Sequence, residues 1–188
     1  DVRNLVRWGD DTIDGWSSLT NAASIAGSIE SLTDLTYLYV TGSNTLSGSV
    51  AGLTDLTYLY VLGSNTLTGS VAALTDLAYL RVTGSNTLTG SVAALTDLTY
   101  LIVYGSNTLS GSVASLTNLT YLVVTGSNTL SGDIGVNNMV NGITTFTLTG
   151  NNQMNTYTAG AVWSNASVTI NPAAGYGYDS TEIDNILI

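Results

Sequence analysis

This 188-residue chain contains no cysteine and no histidine. Without cysteine there are no disulfide bonds and no thiolate metal ligands. Without histidine there is no imidazole to bind zinc or to activate a serine nucleophile. The few carboxylates also have no basic partner with which to form an acid–base pair. The sequence therefore predicts a protein that is not an enzyme and that uses no cofactor and no metal.

Charge is scarce as well, and positive charge most of all. Charged residues make up only 9% of the chain, and three cations stand against 13 acidic residues, for a net charge of −10. Phosphate groups and anionic lipids are bound by basic surfaces, so we expect no nucleic acid as a partner. No apolar run approaches the roughly 20 residues of a membrane helix, so we expect no membrane insertion. The chain starts at Asp1 with no visible signal peptide, and we interpret it as a mature product or an excised fragment.

What the chain has in abundance is one 21-residue unit, repeated five times with almost no drift. The units occupy residues 32–136 and begin at Leu32, Leu53, Leu74, Leu95 and Leu116. One such unit cannot bury its own apolar face, but stacked copies can, so a fixed period of this length predicts a solenoid. We expect residues 1–31 to form an N-terminal cap and a first partial coil. Residues 137–188 are expected to form degenerate coils and a C-terminal cap.

Alternation inside the unit predicts two extended segments for each coil. Leu38 and Val40 are separated by one residue, so the stretch from Tyr37 to Thr41 reads as a short strand with these two side chains inward. Asn44 follows in a turn, where an inward amide can satisfy backbone groups of a neighbouring coil. Leu46 then begins a second extended segment. Near the C-terminus, a hydroxyl followed by acids at 180–184 predicts the start of a short helix that caps the stack.

The pattern resembles the leucine-rich repeat, with one residue more than usual before the asparagine: Leu35-x-x-Leu38-x-Val40-x-x-x-Asn44-x-Leu46. The run Leu46-Ser47-Gly48-Ser49-Val50 is similar to the second strand of the plant and bacterial LSGSI type. The resemblance covers residues 25–154. The front end, Leu5 to Asp10 and Trp16 to Ala22, is similar to BspA-like bacterial and phage surface repeats. We therefore predict a mostly β, leucine-rich-repeat-like solenoid of seven to eight coils with a short C-terminal capping helix. The resemblance implies a non-catalytic, extracellular binding module.

Three columns of outward residues on the first strand stand out when the five units are compared. One is an unbroken row of tyrosines, here called the tyrosine ladder: Tyr37, Tyr58, Tyr79, Tyr100 and Tyr121. The other two change from copy to copy while most of the unit stays fixed. The first variable column is Tyr39, Tyr60, Arg81, Ile102 and Val123, and the second variable column is Thr41, Leu62, Thr83, Tyr104 and Thr125.

Tyrosine supplies a large contact area at low entropic cost, and exposed aromatic patches usually mark interaction sites. We therefore predict that this surface binds a glycan or a protein on a cell or virion surface, as in an adhesin or a phage tail receptor-binding protein. The expected contact residues are Tyr37, Tyr39, Tyr58, Tyr60, Leu62, Tyr79, Arg81, Tyr100, Ile102, Tyr104 and Tyr121. For the ladder alone, stiffening of the coil is an equally weighted interpretation.

Two further function classes stay open. Near-identical coils could form a stiff spacer, or a homo-oligomer or filament in which the tyrosines meet a neighbouring subunit. Alternatively, ice could bind to the outward hydroxyls of the second strand, here called the hydroxyl array: Thr45/Ser47, Thr66/Thr68, Thr87/Thr89, Thr108/Ser110 and Thr129/Ser131. The acidic row Asp34, Asp55, Asp76 and Asp97 could gather cations, but its main interpretation is a solvated turn edge. The cluster Asp10, Asp11 and Asp14 does not have the spacing of a calcium loop and receives the same interpretation.

Overall fold

The structure is a computed structural model that describes residues 18–20, 26–41, 45–104, 106–125, 127–133, 143–150, 153–156 and 167–172. In this part of the chain the secondary structure consists of strands joined by turns, without a helix. The predicted capping helix, most of the predicted N-terminal cap and the Asp10 cluster lie outside the described residues. In chain order the strands are β1 (Ser18–Thr20), β2 (Ala26–Ser28), β3 (Tyr37–Val40), β4 (Thr45–Ser49), β5 (Tyr58–Val61), β6 (Thr66–Ser70), β7 (Tyr79–Val82), β8 (Thr87–Ser91), β9 (Tyr100–Val103), β10 (Thr108–Ser112), β11 (Tyr121–Val124), β12 (Thr129–Asp133), β13 (Thr145–Gly150), β14 (Gln153–Thr156) and β15 (Ser167–Pro172).

These strands form two parallel sheets, and each repeat contributes one strand to each sheet. The first sheet has eight strands in the order β1-β3-β5-β7-β9-β11-β13-β15, and the second has seven in the order β14-β12-β10-β8-β6-β4-β2. Each strand thus pairs with its counterpart one coil away, which is the topology of a solenoid. The prediction of a mostly β, leucine-rich-repeat-like solenoid is confirmed, with about five turns formed by the 21-residue repeats. The larger number of seven to eight coils stays a prediction.

The two sheets differ in how neighbouring strands are aligned. In the first sheet, from β3 to β11, each residue pairs with the residue 21 positions on, as Tyr58 does with Tyr79, so equivalent residues stand side by side. In the second sheet, from β2 to β12, the partner is 19 positions on, as for Ser47 and Thr66 or Thr68 and Thr87. The second sheet is therefore staggered by two residues for each coil. Its outward hydroxyls form an oblique pattern rather than straight columns.

The interior is a continuous stack of aliphatic side chains closed by two tight turns per coil. In the second repeat, Leu53 N–H donates to the Val50 carbonyl at 3.0 Å, and Leu56 N–H donates to the Leu53 carbonyl at 3.1 Å. All three side chains are fully buried, as are Leu59 and Val61 of β5. The polar Thr-Asp pair of each repeat therefore lies in a turn, as the sequence indicated, while the leucines around it complete the core.

A buried asparagine joins each coil to the one before it. Asn86 is fully buried, and its side-chain oxygen accepts a hydrogen bond from Leu67 N–H of the preceding coil at 2.8 Å. Its amide nitrogen donates to the Thr83 carbonyl of its own coil at 2.7 Å. Equivalent bonds are made by Asn65, Asn107 and Asn128. The predicted amide ladder is thus confirmed, and it satisfies backbone groups that water cannot reach.

The Gly-Ser pair of the second strand fixes the contact between coils from the other side. Gly90 has φ +96°, a conformation that costs a residue with a side chain considerable strain, and a Cβ at this position would collide with Oγ of Ser70. The Ser70 hydroxyl in turn accepts a hydrogen bond from Ala72 N–H at 3.2 Å. The serine of one coil thus lies directly against the glycine of the next, and a side chain at the glycine position would disturb the stack.

Candidate binding face

The outward surface of the first sheet, here called the strand face, brings the predicted contact residues together. The 21-residue register places each residue of the tyrosine ladder beside the next, and the first variable column runs parallel to it two residues further along each strand. The second variable column continues the same hydrogen-bond ladder, because Thr83 N–H donates to the Val61 carbonyl and Tyr104 N–H to the Val82 carbonyl. All eleven predicted contact residues therefore belong to one surface of the first sheet.

The rings of the tyrosine ladder are stacked on one another along the solenoid. Successive ring centroids lie 4.3–4.4 Å apart, and the ring planes differ by 7–17°. Five rings thus form one stack in which each face covers its neighbour, and the side chains are half-buried. What the ladder presents to a partner is ring edges and hydroxyl groups. Its ring faces are occupied, except at the two ends of the stack.

Burial in the stack also affects the hydroxyl groups. Burial raises the pKa of Tyr58 and Tyr79, and the neighbouring phenols add to this effect because two adjacent phenolates would repel each other. For Tyr100 the same two causes raise the pKa to about 12. Tyr58, Tyr79 and Tyr100 are therefore neutral at physiological pH, and their hydroxyls can both donate and accept hydrogen bonds.

The first variable column has three different surfaces along its length. Tyr39 and Tyr60 stack with their ring centroids 4.5 Å apart. The guanidinium carbon of Arg81 lies 5.1 Å from the centroid of the Tyr60 ring, at a distance typical of a cation–π contact. The Arg81 Nε atom is buried and has no hydrogen-bond partner in the structure. A positive charge therefore stands at the centre of a face made mainly of aromatic rings.

Beyond Arg81 the same column is covered. The side chain of Ile102 is only 3% exposed and that of Val123 only 5%, although both point outward from the sheet. The prediction of Ile102 as an exposed contact residue is therefore wrong. Its aliphatic side chain is shorter than those of Tyr100 and Tyr104, which lie two residues before and after it in the chain. Ile102 supports the rings instead of offering surface of its own.

The second variable column supplies the most exposed aromatic group of the face. Tyr104 is 39% exposed, and within the described residues it is the single large hydrophobic side chain that is classed as exposed. Leu62 is half-buried, as are Thr41, Thr83 and Thr125. The surface that a partner can reach thus consists of tyrosine edges and hydroxyls, Leu62, Arg81 and Tyr104.

The described part of the chain shows neither a metal site nor a membrane-spanning helix. Its residues do not bring three His, Cys, Asp or Glu side chains together as a metal ion would require. They also include no helix with the length and apolar character that crossing a bilayer demands. The hydroxyl array is solvent-exposed at Thr66, Thr68, Thr87 and Thr89, on the second sheet.

Comparison with known proteins places the fold but not the function. Neither a protein-family model nor a curated protein matches the chain. Among solved structures, a plant ice-binding protein matches with a TM-score of 0.55 at 22% identity, over 90% of this chain and 61% of that one. A TDR receptor matches with a TM-score of 0.52 at 24% identity, over 78% of this chain and 27% of the receptor chain. An internalin from Listeria monocytogenes matches with a TM-score of 0.43 at 23% identity, over 81% of this chain and 56% of that one, a likeness too low to carry an argument.

These matches agree with the leucine-rich-repeat-like solenoid described above. The chain spans 27% and 61% of the lengths of the receptor and the ice-binding protein. One fold thus serves a receptor and an ice-binding protein, so the fold alone does not select a function. A function therefore has to be inferred from the side chains on the outward surfaces of the two sheets.

Proposed function

We propose that this chain is a non-catalytic, extracellular recognition module that binds a protein partner through the strand face. The observation that carries the proposal is the arrangement of variable residues. Substitutions between repeats are concentrated on one face of one sheet, and they introduce Tyr60, Leu62, Arg81 and Tyr104 rather than the serine and threonine that dominate the surface. Tyrosine and arginine are also the residues most enriched at the energetic centres of protein interfaces.

The stacking of the tyrosine ladder favours a protein over a glycan as the partner. Sugars bind to aromatic side chains mainly by lying against ring faces, and in the ladder those faces already cover one another at 4.3–4.4 Å. Ring edges and hydroxyls remain, and these suit the mixture of apolar and hydrogen-bonding groups on a protein surface. The location that fits such a module is a cell or virion surface.

The test uses a displayed library of random 12-residue peptides, with a glycan array probed in parallel. Peptides selected on the wild-type chain are measured against the variant Tyr60→Ala/Arg81→Ala/Tyr104→Ala. We expect this variant to weaken binding by about 100-fold or more, because truncation of each central interface residue typically costs more than 1 kcal/mol. The matched control is Thr66→Ala/Thr87→Ala on the second sheet, which should leave the affinity unchanged.

Two outcomes would contradict the proposal. Selected peptides that bind the triple variant as tightly as the wild type would show that the strand face is not the binding surface. A concentration-dependent increase in solution mass, measured by light scattering behind a sizing column, would favour the self-assembling spacer instead. In that case the tyrosines would be covered by a neighbouring subunit.

Ice binding is the second candidate function, and the exposed hydroxyl array favours it. Thr66 and Thr68 are exposed on one strand, Thr87 and Thr89 on the next, and the register brings Thr68 beside Thr87. The similarity in fold to a plant ice-binding protein is compatible with this function. The variant Thr66→Tyr/Thr87→Tyr should then abolish thermal hysteresis while the strand-face triple variant retains it. Absence of thermal hysteresis in the wild-type chain would remove this candidate.

A further inference from the structure

On the strand face, the residues that depart from the repeat consensus surround Thr83. In the second variable column, Leu62 and Tyr104 replace the threonine found in the other three copies, and they lie in the coils on either side of Thr83. Arg81 is two residues before Thr83 on the same face of β7, paired with Tyr60 and Ile102. Leu62, Arg81, Thr83 and Tyr104, here called the Arg81 patch, therefore form one contiguous area, with diagonal neighbours roughly 7–8 Å apart.

Arg81 is the only cation of the described residues, since Arg3 and Arg7 lie outside them. Its contacts are with aromatic residues: the guanidinium lies over the Tyr60 ring, and the Tyr79 hydroxyl is close enough to interact with it. No acidic side chain of the described residues forms an ion pair with it, and its Nε atom is without a hydrogen-bond partner. A guanidinium that no acidic side chain of the described residues neutralises can still pair with a carboxylate, which is the group that matches its planar donors best.

The chain's own negative charge restricts what kind of acidic partner fits. Asp34, Asp55, Asp76 and Asp97 are exposed in the turns that precede the strands. Asp76 is five residues before Arg81, a separation of roughly 17 Å at most along extended chain. At physiological ionic strength screening limits repulsion to about 8 Å, so the row repels a single carboxylate on Arg81 only where the two lie within that distance. A run of several acidic residues, in contrast, would extend towards the row and be repelled by it.

We propose that the Arg81 patch is a subsite for a single carboxylate side chain of a protein partner, flanked by uncharged residues that pack on Leu62 and Tyr104. This inference rests on the proposed function, because it concerns the same face. It assigns three roles. Arg81 pairs with the carboxylate, Leu62 and Tyr104 contact the apolar residues on either side of it, and the Thr83 hydroxyl lies between them as a hydrogen-bonding group.

The repeat itself supplies the matched control, because the position of Arg81 is occupied by valine in the fifth copy. The variant Arg81→Val thus copies Val123 and should fold like the wild type, which circular dichroism can verify. The probe is the displayed library of random 12-residue peptides, selected separately on the wild-type chain and on Arg81→Val. We expect peptides selected on the wild type to be enriched in sequences with one Asp or Glu, and peptides selected on Arg81→Val to lose this enrichment.

Individual peptides then give the size of the effect. In a selected peptide, exchange of its Glu for Gln should weaken binding to the wild type by about tenfold or more, the usual range for a hydrogen bond to a charged group. The same exchange should leave binding to Arg81→Val unchanged, so the two changes are not additive. Arg81→Lys should restore only part of the preference, since an ammonium lacks the planar pair of donors.

The outcomes separate this inference from the proposed function. Peptides that lose affinity for Tyr60→Ala/Tyr104→Ala but show no preference for a single acid would overturn the carboxylate subsite and leave the strand face as the binding surface. Peptides enriched equally in acids on the wild type and on Arg81→Val would also overturn it. Peptides that respond to no strand-face substitution would overturn both.

Discussion

The buried Asn86 offers the sharpest test of how neighbouring coils are held together. Its side chain makes two hydrogen bonds, from Leu67 N–H at 2.8 Å and to the Thr83 carbonyl at 2.7 Å, and it is fully buried. In Asn86→Ala both backbone groups lose this partner, and Leu67 N–H is left in a place that water does not reach. Each unsatisfied buried group costs about 1–3 kcal/mol, and the Thr83 bond is only partly buried, so we expect a loss of about 3 kcal/mol in the free energy of unfolding.

The variant Asn86→Asp separates the two bonds. The introduced carboxylate keeps an oxygen for Leu67 N–H but places a second oxygen, or a negative charge, against the Thr83 carbonyl. Burial and this carbonyl raise the pKa of the introduced carboxyl in the folded state above its unfolded value of about 3.9. The folded state then binds the proton more tightly than the unfolded state. The stability of Asn86→Asp relative to the wild type should therefore be greatest below pH 4 and fall as the pH rises through the folded-state pKa.

The assay is urea unfolding followed by circular dichroism, with each variant compared with the wild type at pH 4 and pH 7. The control is Asn118→Ala, because Asn118 is exposed and makes a single hydrogen bond to the Thr96 carbonyl at 3.1 Å. This control should cost no more than about 0.5 kcal/mol. If Asn86→Ala costs no more than Asn118→Ala, or if Asn86→Asp shows the same penalty at both pH values, the amide ladder does not hold the coils as argued.

Two further predictions concern the Gly-Ser contact and the tyrosine ladder. Gly90→Ala should cost about 1–3 kcal/mol of unfolding free energy, because alanine is strained at φ +96° and its Cβ meets Ser70. The control is Gly52→Ala, which should cost much less because nothing lies within 4 Å of its added Cβ. Equal urea midpoints for the two variants would refute this contrast. Spectrophotometric titration of the phenols near 295 nm should show a component with a pKa of about 12 that disappears in Tyr100→Phe. Because the pKa of Tyr100 is raised on folding, the free energy of unfolding should fall as the pH rises from about 10 towards 12. A single ordinary tyrosine transition near pH 10 in the folded chain would count against the stacked ladder.

The fold followed from the sequence wherever a residue recurs for a reason that acts within one coil. Leu38 and Val40 alternate with outward residues, and the strand, its buried side chains and its parallel partners all follow from that alternation. The role of the inward asparagine could be predicted in the same way, since a polar residue that recurs among core leucines has to satisfy buried backbone groups. These features depend on local patterns that every copy repeats.

The features that the sequence did not reveal depend on relations between coils. A 21-residue period does not determine the register in which neighbouring strands pair. The two-residue stagger of the second sheet, in which Thr68 pairs with Thr87, therefore could not be predicted from the sequence. The burial of Ile102 is a second case. Alternation indicates to which side a side chain points, but its exposure depends on the size and position of the rings around it.

The Gly-Ser contact helps to explain why the larger substitutions between repeats are concentrated on the first sheet. On the second strand, Gly90 and Ser70 belong to adjacent coils and touch directly, so a side chain at the glycine position would alter the distance between coils. Arg81 and Thr83 occupy outward positions of the first sheet, where the guanidinium of Arg81 lies over the Tyr60 ring. These outward positions can therefore change without disturbing the stack, whereas the glycine cannot. A repeat built in this way keeps its scaffold constant while one surface diversifies, which is the property that recognition requires and that a plain spacer does not.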